Sequence, residues 1–87
     1  MDDFDPGRRW RLNERVSLRD ETFGALAYHH LTRRLVFLKS RELVDVVRRL
    51  GEYESADAAL EALVAGDERE RYVEALSTLW HSDLLSG

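Results

Sequence analysis

FGALAYHHLTRRLVFLK, residues 23–39, decides how the rest of the chain is read. It predicts two β-strands joined by a turn. Phe23, Ala25 and Ala27 share one face of the first strand, and Leu26 and Tyr28 share the other. Apolar groups on both faces suit a strand near the middle of a small sheet. Residues 29–32 make the turn. Leu35, Val36, Phe37 and Leu38 form a second strand dense in β-formers. In it Arg33, Leu35, Phe37 and Lys39 lie on one face, and Arg34, Val36 and Leu38 on the other. Upstream, Val16 and Leu18 alternate with Ser17 and Arg19 as a further half-buried strand, broken by Asp20, Glu21 and Thr22. The three strands together predict an antiparallel meander, close to the minimum that a helical cover can stabilise.

Downstream the period changes from 2 to 3.6. Ser40 is placed to cap a first helix, whose apolar stripe is Leu43, Val46, Val47 and Leu50, with Gly51 placed to stop it. Ser55 caps a second helix with the stripe Ala59, Leu60, Leu63 and Val64, and Gly66 ends it. Asp67 and Glu70 read as a capping box for a third helix, with the stripe Tyr72, Val73, Leu76, Leu79 and Trp80. Leu84 and Leu85 either finish that helix or fold back on the sheet. Before the sheet, Trp10 and Leu12 alternate with arginines in a short extended segment. Trp10 packs either in the core or under the residues before it. Residues 1–8, with Asp2, Asp3, Asp5 and Pro6-Gly7, read as a loose arm that Phe4 either pins or leaves frayed. The fold class expected is α+β: a three-stranded antiparallel sheet followed by a three-helix bundle, a winged helix-turn-helix with the wing placed first.

Eighty-seven residues fit one domain with a thin core, 1–87. An apolar fraction of 44% argues against disorder throughout. The net charge of −4 disfavours non-specific nucleic-acid binding. The chain has no cysteine, which removes disulfides, thiolate metal sites and a cysteine nucleophile. It carries no signal-peptide pattern and no apolar run long enough to span a bilayer, so a cytoplasmic location is expected.

Little in the sequence suggests catalysis. His29 and His30 are neighbours on a strand and point to opposite faces, so they do not share one metal ion; with His81 they read as turn and surface residues. No Gly-rich phosphate loop and no H-E-x-x-H is present. Ser40 has no base placed beside it. The chain therefore reads as a non-enzyme with no metal and no cofactor. Arg33-Arg34 and Arg48-Arg49 are solvated surface, phosphate contacts of a DNA-binding winged helix, or a lure for an acidic peptide. Glu68, Glu70 and Glu74 on the third helix oppose the DNA reading, which stands as the alternative.

If strand order follows the chain, residues 35–38 form an edge strand with unpaired N–H and C=O groups. A peptide can add there as a further strand. Four new backbone bonds give about 2–6 kcal/mol net. Ordering five peptide residues costs roughly 5–10 kcal/mol. Apolar side chains in pockets, about 1.5–3 kcal/mol each, must supply the difference. Proline at Val36 is expected to abolish pairing if the Val36 N–H faces the peptide. The competing occupants of the edge are the N-terminal arm and a second copy, which would make a homodimer.

Arg9-Trp10-Arg11-Leu12, Phe23-Gly24-Ala25-Leu26, Tyr28-His29, Thr32-Arg33 and Phe37-Leu38-Lys39 resemble the peptide chaperone family of mycofactocin biosynthesis (MftB), a PqqD-like group of recognition elements for ribosomally made peptides. The match is specific over residues 4–39; over 52–87 only helix pattern and length agree. The resemblance implies a non-catalytic domain. It implies that the leader of a precursor peptide binds as a fourth strand, in the cleft between the third strand and the third helix. It also implies presentation of that peptide to a radical S-adenosylmethionine maturase, which modifies the precursor's C-terminal Val-Tyr. Carried onto this chain, the peptide-binding residues are Arg33, Arg34, Leu35, Val36, Phe37 and Leu38, with a helix wall of Tyr72, Leu76 and Leu79.

Overall fold

Two hairpins build the sheet. The computed structural model describes residues 3–87, with β1 at Arg11–Leu12, β2 at Val16–Glu21, β3 at Gly24–His29 and β4 at Leu35–Leu38. The order β2-β3-β4 is an antiparallel meander, as the alternation predicts. Its helical cover is α1 (Arg41–Arg49), α2 (Ala56–Leu63) and α3 (Arg69–His81). A short β5 (Leu85–Ser86) then returns to pair with β1, so Leu84 and Leu85 fold back rather than extend the helix.

One face of the sheet carries the core. Val16 and Leu18 of β2, Ala25, Ala27 and His29 of β3, and Val36 and Leu38 of β4 turn inward in register. Ala25 and Ala27 are fully buried, and their small side chains let α1 pack across β3. Val46, Val47, Leu50, Leu60, Leu76 and Leu84 complete the interior. Each such side chain contributes about 1.5–3 kcal/mol by leaving water. The helices cover this face alone, so Leu26 and Tyr28 on the other face remain half-exposed.

Phe23 departs from the expected face. Thr22 and Phe23 form the two-residue turn between the paired Glu21 and Gly24, which takes Phe23 out of the strand alternation. Its ring is 43% exposed and meets Phe37 at 5.8 Å. Gly24 makes this turn possible. Its φ of 152° suits glycine, and any Cβ there would collide with the carbonyl oxygen of Leu38.

Ser40 and Ser55 cap their helices as read: their hydroxyl oxygens accept from Leu43 N and Ala58 N at 3.0 Å. The capping box at Asp67 is not formed. Residues Gly66–Glu68 wind as a 3-10 turn running directly into α3, so the residue at the helix start, Glu68, has helical backbone and no side-chain cap. Gly51 likewise sits inside a 3-10 turn, Leu50–Glu52, without the left-handed conformation of a helix stop. It serves close approach instead: a Cβ there would lie 3.2 Å from that of Arg11.

The described part of the arm is tied down. Phe4 is buried and stacks on Trp10 at 5.1 Å, and Trp10 meets Trp80 edge-on at 5.7 Å. Trp10 thus lies both in the core and under the arm, its indole N–H donating to the Asp5 carbonyl at 2.7 Å. The carbonyls of Pro6 and Arg8 accept from Asp57 N and Ala56 N, satisfying two first-turn donors of α2. Met1 and Asp2, also expected in a loose arm, lie outside the described residues.

Candidate peptide-binding edge

β4 pairs with β3 on one side, and no strand flanks it on the other among the described residues. Which of its backbone groups face outward follows from one hydrogen bond. His29 N donates to Arg34 O at 2.9 Å, so His29 and Arg34 form a bonded pair. Bonded pairs alternate along an antiparallel ladder. With the register Ala27↔Val36 and Ala25↔Leu38, the N–H and C=O of Val36 and Leu38 point at β3. Those of Leu35 and Phe37 point at the free edge. Proline at Val36 would therefore break the sheet's own ladder, and the position that tests the edge is Phe37.

The side chains of β4 divide by face. Leu35 and Phe37 are 53% and 55% exposed on the outer face, Val36 is half-buried inward, and Leu38 is buried in the core. Arg33 and Arg34 are exposed in the turn before the strand, and Arg33 has a left-handed φ of 66°. Neither joins an ion pair within the described residues.

Beyond the C-terminal end of β4 lies a pocket of about 150 Å³, lined by Lys39, Ser40, Leu43, Arg71, Tyr72 and Ala75. A cavity of that order holds a benzene-sized group. Its walls come from the cap of α1 and the first two turns of α3. The Tyr72 hydroxyl donates to Glu42 Oε1 at 3.0 Å, and burial, with the Glu42 carboxylate beside it, pushes the Tyr72 hydroxyl above the usual tyrosine range. Tyr72 therefore presents a neutral ring and a fixed hydroxyl. Lys39 and Arg71 add exposed cations at the mouth, Arg71 bridged to Glu68 at 3.0 Å.

Of the three helix residues expected to form a wall, Tyr72 lines this pocket. Leu76 and Leu79 are buried in the core, behind the wall. Leu43, expected only in the apolar stripe of the first helix, also lines it, and the sequence does not single out Arg71 and Ala75. The signal was available in part: Tyr72, Leu76 and Leu79 repeat at the spacing of a core stripe, so the residues flanking that stripe, 71 and 75, are those that face the edge.

The histidines do not come together. His29 is fully buried: its Nδ1 accepts from Leu31 N and Thr32 N, and its Nε2 donates to Asp83 at 3.1 Å. It is the last residue of β3 rather than a turn residue, and it is buried rather than on the surface. His30 faces out and bonds Ser17 Oγ at 2.6 Å. Among the described residues no three His, Asp or Glu side chains cluster to hold a metal, and no helix is long and apolar enough to cross a membrane.

Residues 9–86 match the model of the peptide chaperone MftB family. The chain is 47% identical over 83 residues to the peptide chaperone MftB of Mycolicibacterium smegmatis, covering 94% of this chain and 81% of that protein. It is 43% identical over 84 residues to the peptide chaperone MftB of Mycobacterium tuberculosis, covering 95% and 77%. No solved structure matches the chain significantly. A family model spanning nearly the whole chain, with relatives this similar along most of their own length, places the chain in the peptide chaperone MftB family.

Proposed function

We propose that this chain is a peptide chaperone of mycofactocin biosynthesis that binds the leader of a ribosomally made precursor by strand addition to β4 and presents it to a radical S-adenosylmethionine maturase. The observation that carries the binding mode is the outward backbone of Leu35 and Phe37 on an edge that no strand flanks among the described residues and that ends at a pocket. The edge offers two donors and two acceptors, about 2–6 kcal/mol net. Ordering the peptide consumes roughly that much or more. A peptide side chain of aromatic or branched aliphatic type in the Leu43, Tyr72 and Ala75 pocket supplies the surplus. Arg33 and Arg34 at one end of the strand, and Lys39 and Arg71 at the other, favour an acidic leader. Leu38, Leu76 and Leu79 support the groove from the core. The family is one of peptide chaperones, not catalysts.

The DNA-binding alternative gains nothing from the helices. Glu70 and Glu74 are exposed on α3, the helix that would approach the phosphates.

The test is a titration of labelled full-length protein with synthetic precursor peptide, followed by amide NMR. Shifts concentrated at Leu35, Phe37 and Lys39 and at Arg71, Tyr72 and Ala75 are expected. Binding that moves amides of α2 and leaves β4 unmoved would overturn the strand-addition mode, and no shifts at all would overturn the chaperone reading for that peptide.

A further inference from the structure

The four strongly exposed large apolar side chains among the described residues, Phe23, Leu31, Leu35 and Phe37, fall within fifteen residues of one another in the chain. Three of them share the outer face of the sheet, where Phe23 packs on Phe37 and half-exposed Leu26 lies across from Phe37 in the ladder. Tyr28, opposite Leu35, extends the patch. No helix covers it. A contiguous apolar face on a small soluble domain marks an interaction surface. The groove proposed for the peptide takes from it only the backbone edge of Leu35 and Phe37, since the pocket lies between α1 and α3.

Charge selects the occupant. On β2 the rim is neutralised within the chain, Arg19 pairing with Glu21 at 3.0 Å. On the β4 side Arg33, Arg34 and Lys39 are exposed and join no ion pair within the described residues. A second copy fits this border poorly. Two β4 edges can pair antiparallel only through their outward residues, and setting Leu35 against Phe37 of the other copy places Arg33 opposite Lys39 at both ends. Like charges directly opposed destabilise a sheet.

We infer that the outer face formed by Phe23, Leu26, Tyr28, Leu35 and Phe37 is the docking surface for a folded protein that presents an apolar spot bordered on one side by carboxylates and that receives the peptide. This rests on the strand-addition reading for one feature. A fourth strand beside β4 turns every second side chain onto the outer face, level with Leu35 and Phe37. The receiving protein then touches chaperone and cargo together, and it binds the loaded chaperone more tightly than the empty one.

The experiment measures binding of immobilised full-length protein to the radical S-adenosylmethionine maturase of the same biosynthetic system, with and without synthetic precursor peptide. The wild type is compared with Phe23→Ser/Leu26→Thr, two residues outside the peptide groove. The variant is expected to hold the peptide within about twofold of wild type, while its loaded form loses at least about tenfold in maturase affinity. Wild-type binding should also weaken as salt rises. Unchanged maturase affinity in a folded variant overturns the inference. So does loss of the peptide together with the maturase, which would assign the face to cargo, or a wild-type dimer that the substitutions dissociate, which would assign it to a second copy. If the double variant does not fold, Phe23→Ser alone, in a turn outside the ladder, gives the same comparison. Should the wild type bind peptide and not maturase, the inference fails and the peptide reading stands. Should it bind maturase and not peptide, the strand-addition reading fails and the face is judged on the empty protein.

Discussion

His29 shows how one buried polar side chain sets the working strand. Its Nδ1 accepts from two turn amides, Leu31 N and Thr32 N, which leaves Nε2 as the protonated nitrogen and Asp83 as its acceptor. Its own N–H and C=O bond Arg34 and Arg33. All five contacts fix where the β3–β4 turn ends, and therefore which residues of β4 face outward. His29→Ala removes a fully buried ring and orphans the two amides. The expected loss is about 3 kcal/mol in urea unfolding, from lost burial plus unmade hydrogen bonds. Asp83→Asn keeps an acceptor at a position 65% exposed and should cost under about 1 kcal/mol. A cost below that for His29→Ala would show that the ring does not hold the turn.

At the scale of the element, the edge strand makes opposite demands on adjacent residues. Val36 gives its N–H to β3, so Val36→Pro removes a ladder bond and places a proline where central pairing needs a donor. It should leave the chain largely unfolded by circular dichroism. Phe37 offers its N–H to the open edge, where proline is tolerated. Phe37→Pro should fold and lose most peptide affinity, whereas Phe37→Ala should retain most of it; equal binding by the two would sink strand addition. The sequence showed β4, its edge position and the two faces, because period-2 alternation and strand order are local signals. It did not show which amides point outward, since that depends on how the turn at His29 closes. Nor did it show the pocket, because Leu43 comes from the first turn of α1 and Arg71 and Ala75 flank a core stripe of α3, and only their meeting in space makes a wall. Asp67 misled for a related reason: a capping pattern competes with a 3-10 turn that enters the helix from behind.

At the scale of the whole molecule, the groove and the arm share one helix. The first two turns of α3 give Arg71, Tyr72 and Ala75 to the pocket, and its last turn gives Trp80 to the cluster with Trp10 and Phe4. The arm also supplies the carbonyls that cap α2, so in a core this thin the segment before β1 contributes to both helices. In its composition only Phe4 signals attachment, which the sequence leaves open, because three aspartates and a Pro-Gly pair describe solvent-facing chain; the carbonyl caps on α2 have no sequence signal. Phe4→Ala takes away a stacked ring and opens the indole of Trp10 to water. The expected cost is about 2 kcal/mol, less than a fully enclosed phenylalanine because the site lies at the margin and can collapse. For a domain of this size that lowers the melting temperature by roughly 10 °C. The emission of Trp10 and Trp80 should shift to longer wavelength in the folded variant. Peptide affinity at low temperature should stay near wild type, because the pocket end of α3 is held separately by Leu76 in the core and by the Tyr72–Glu42 bond. If affinity falls in step with stability instead, the arm and the groove are one cooperative unit, and α3 transmits the loss along its length.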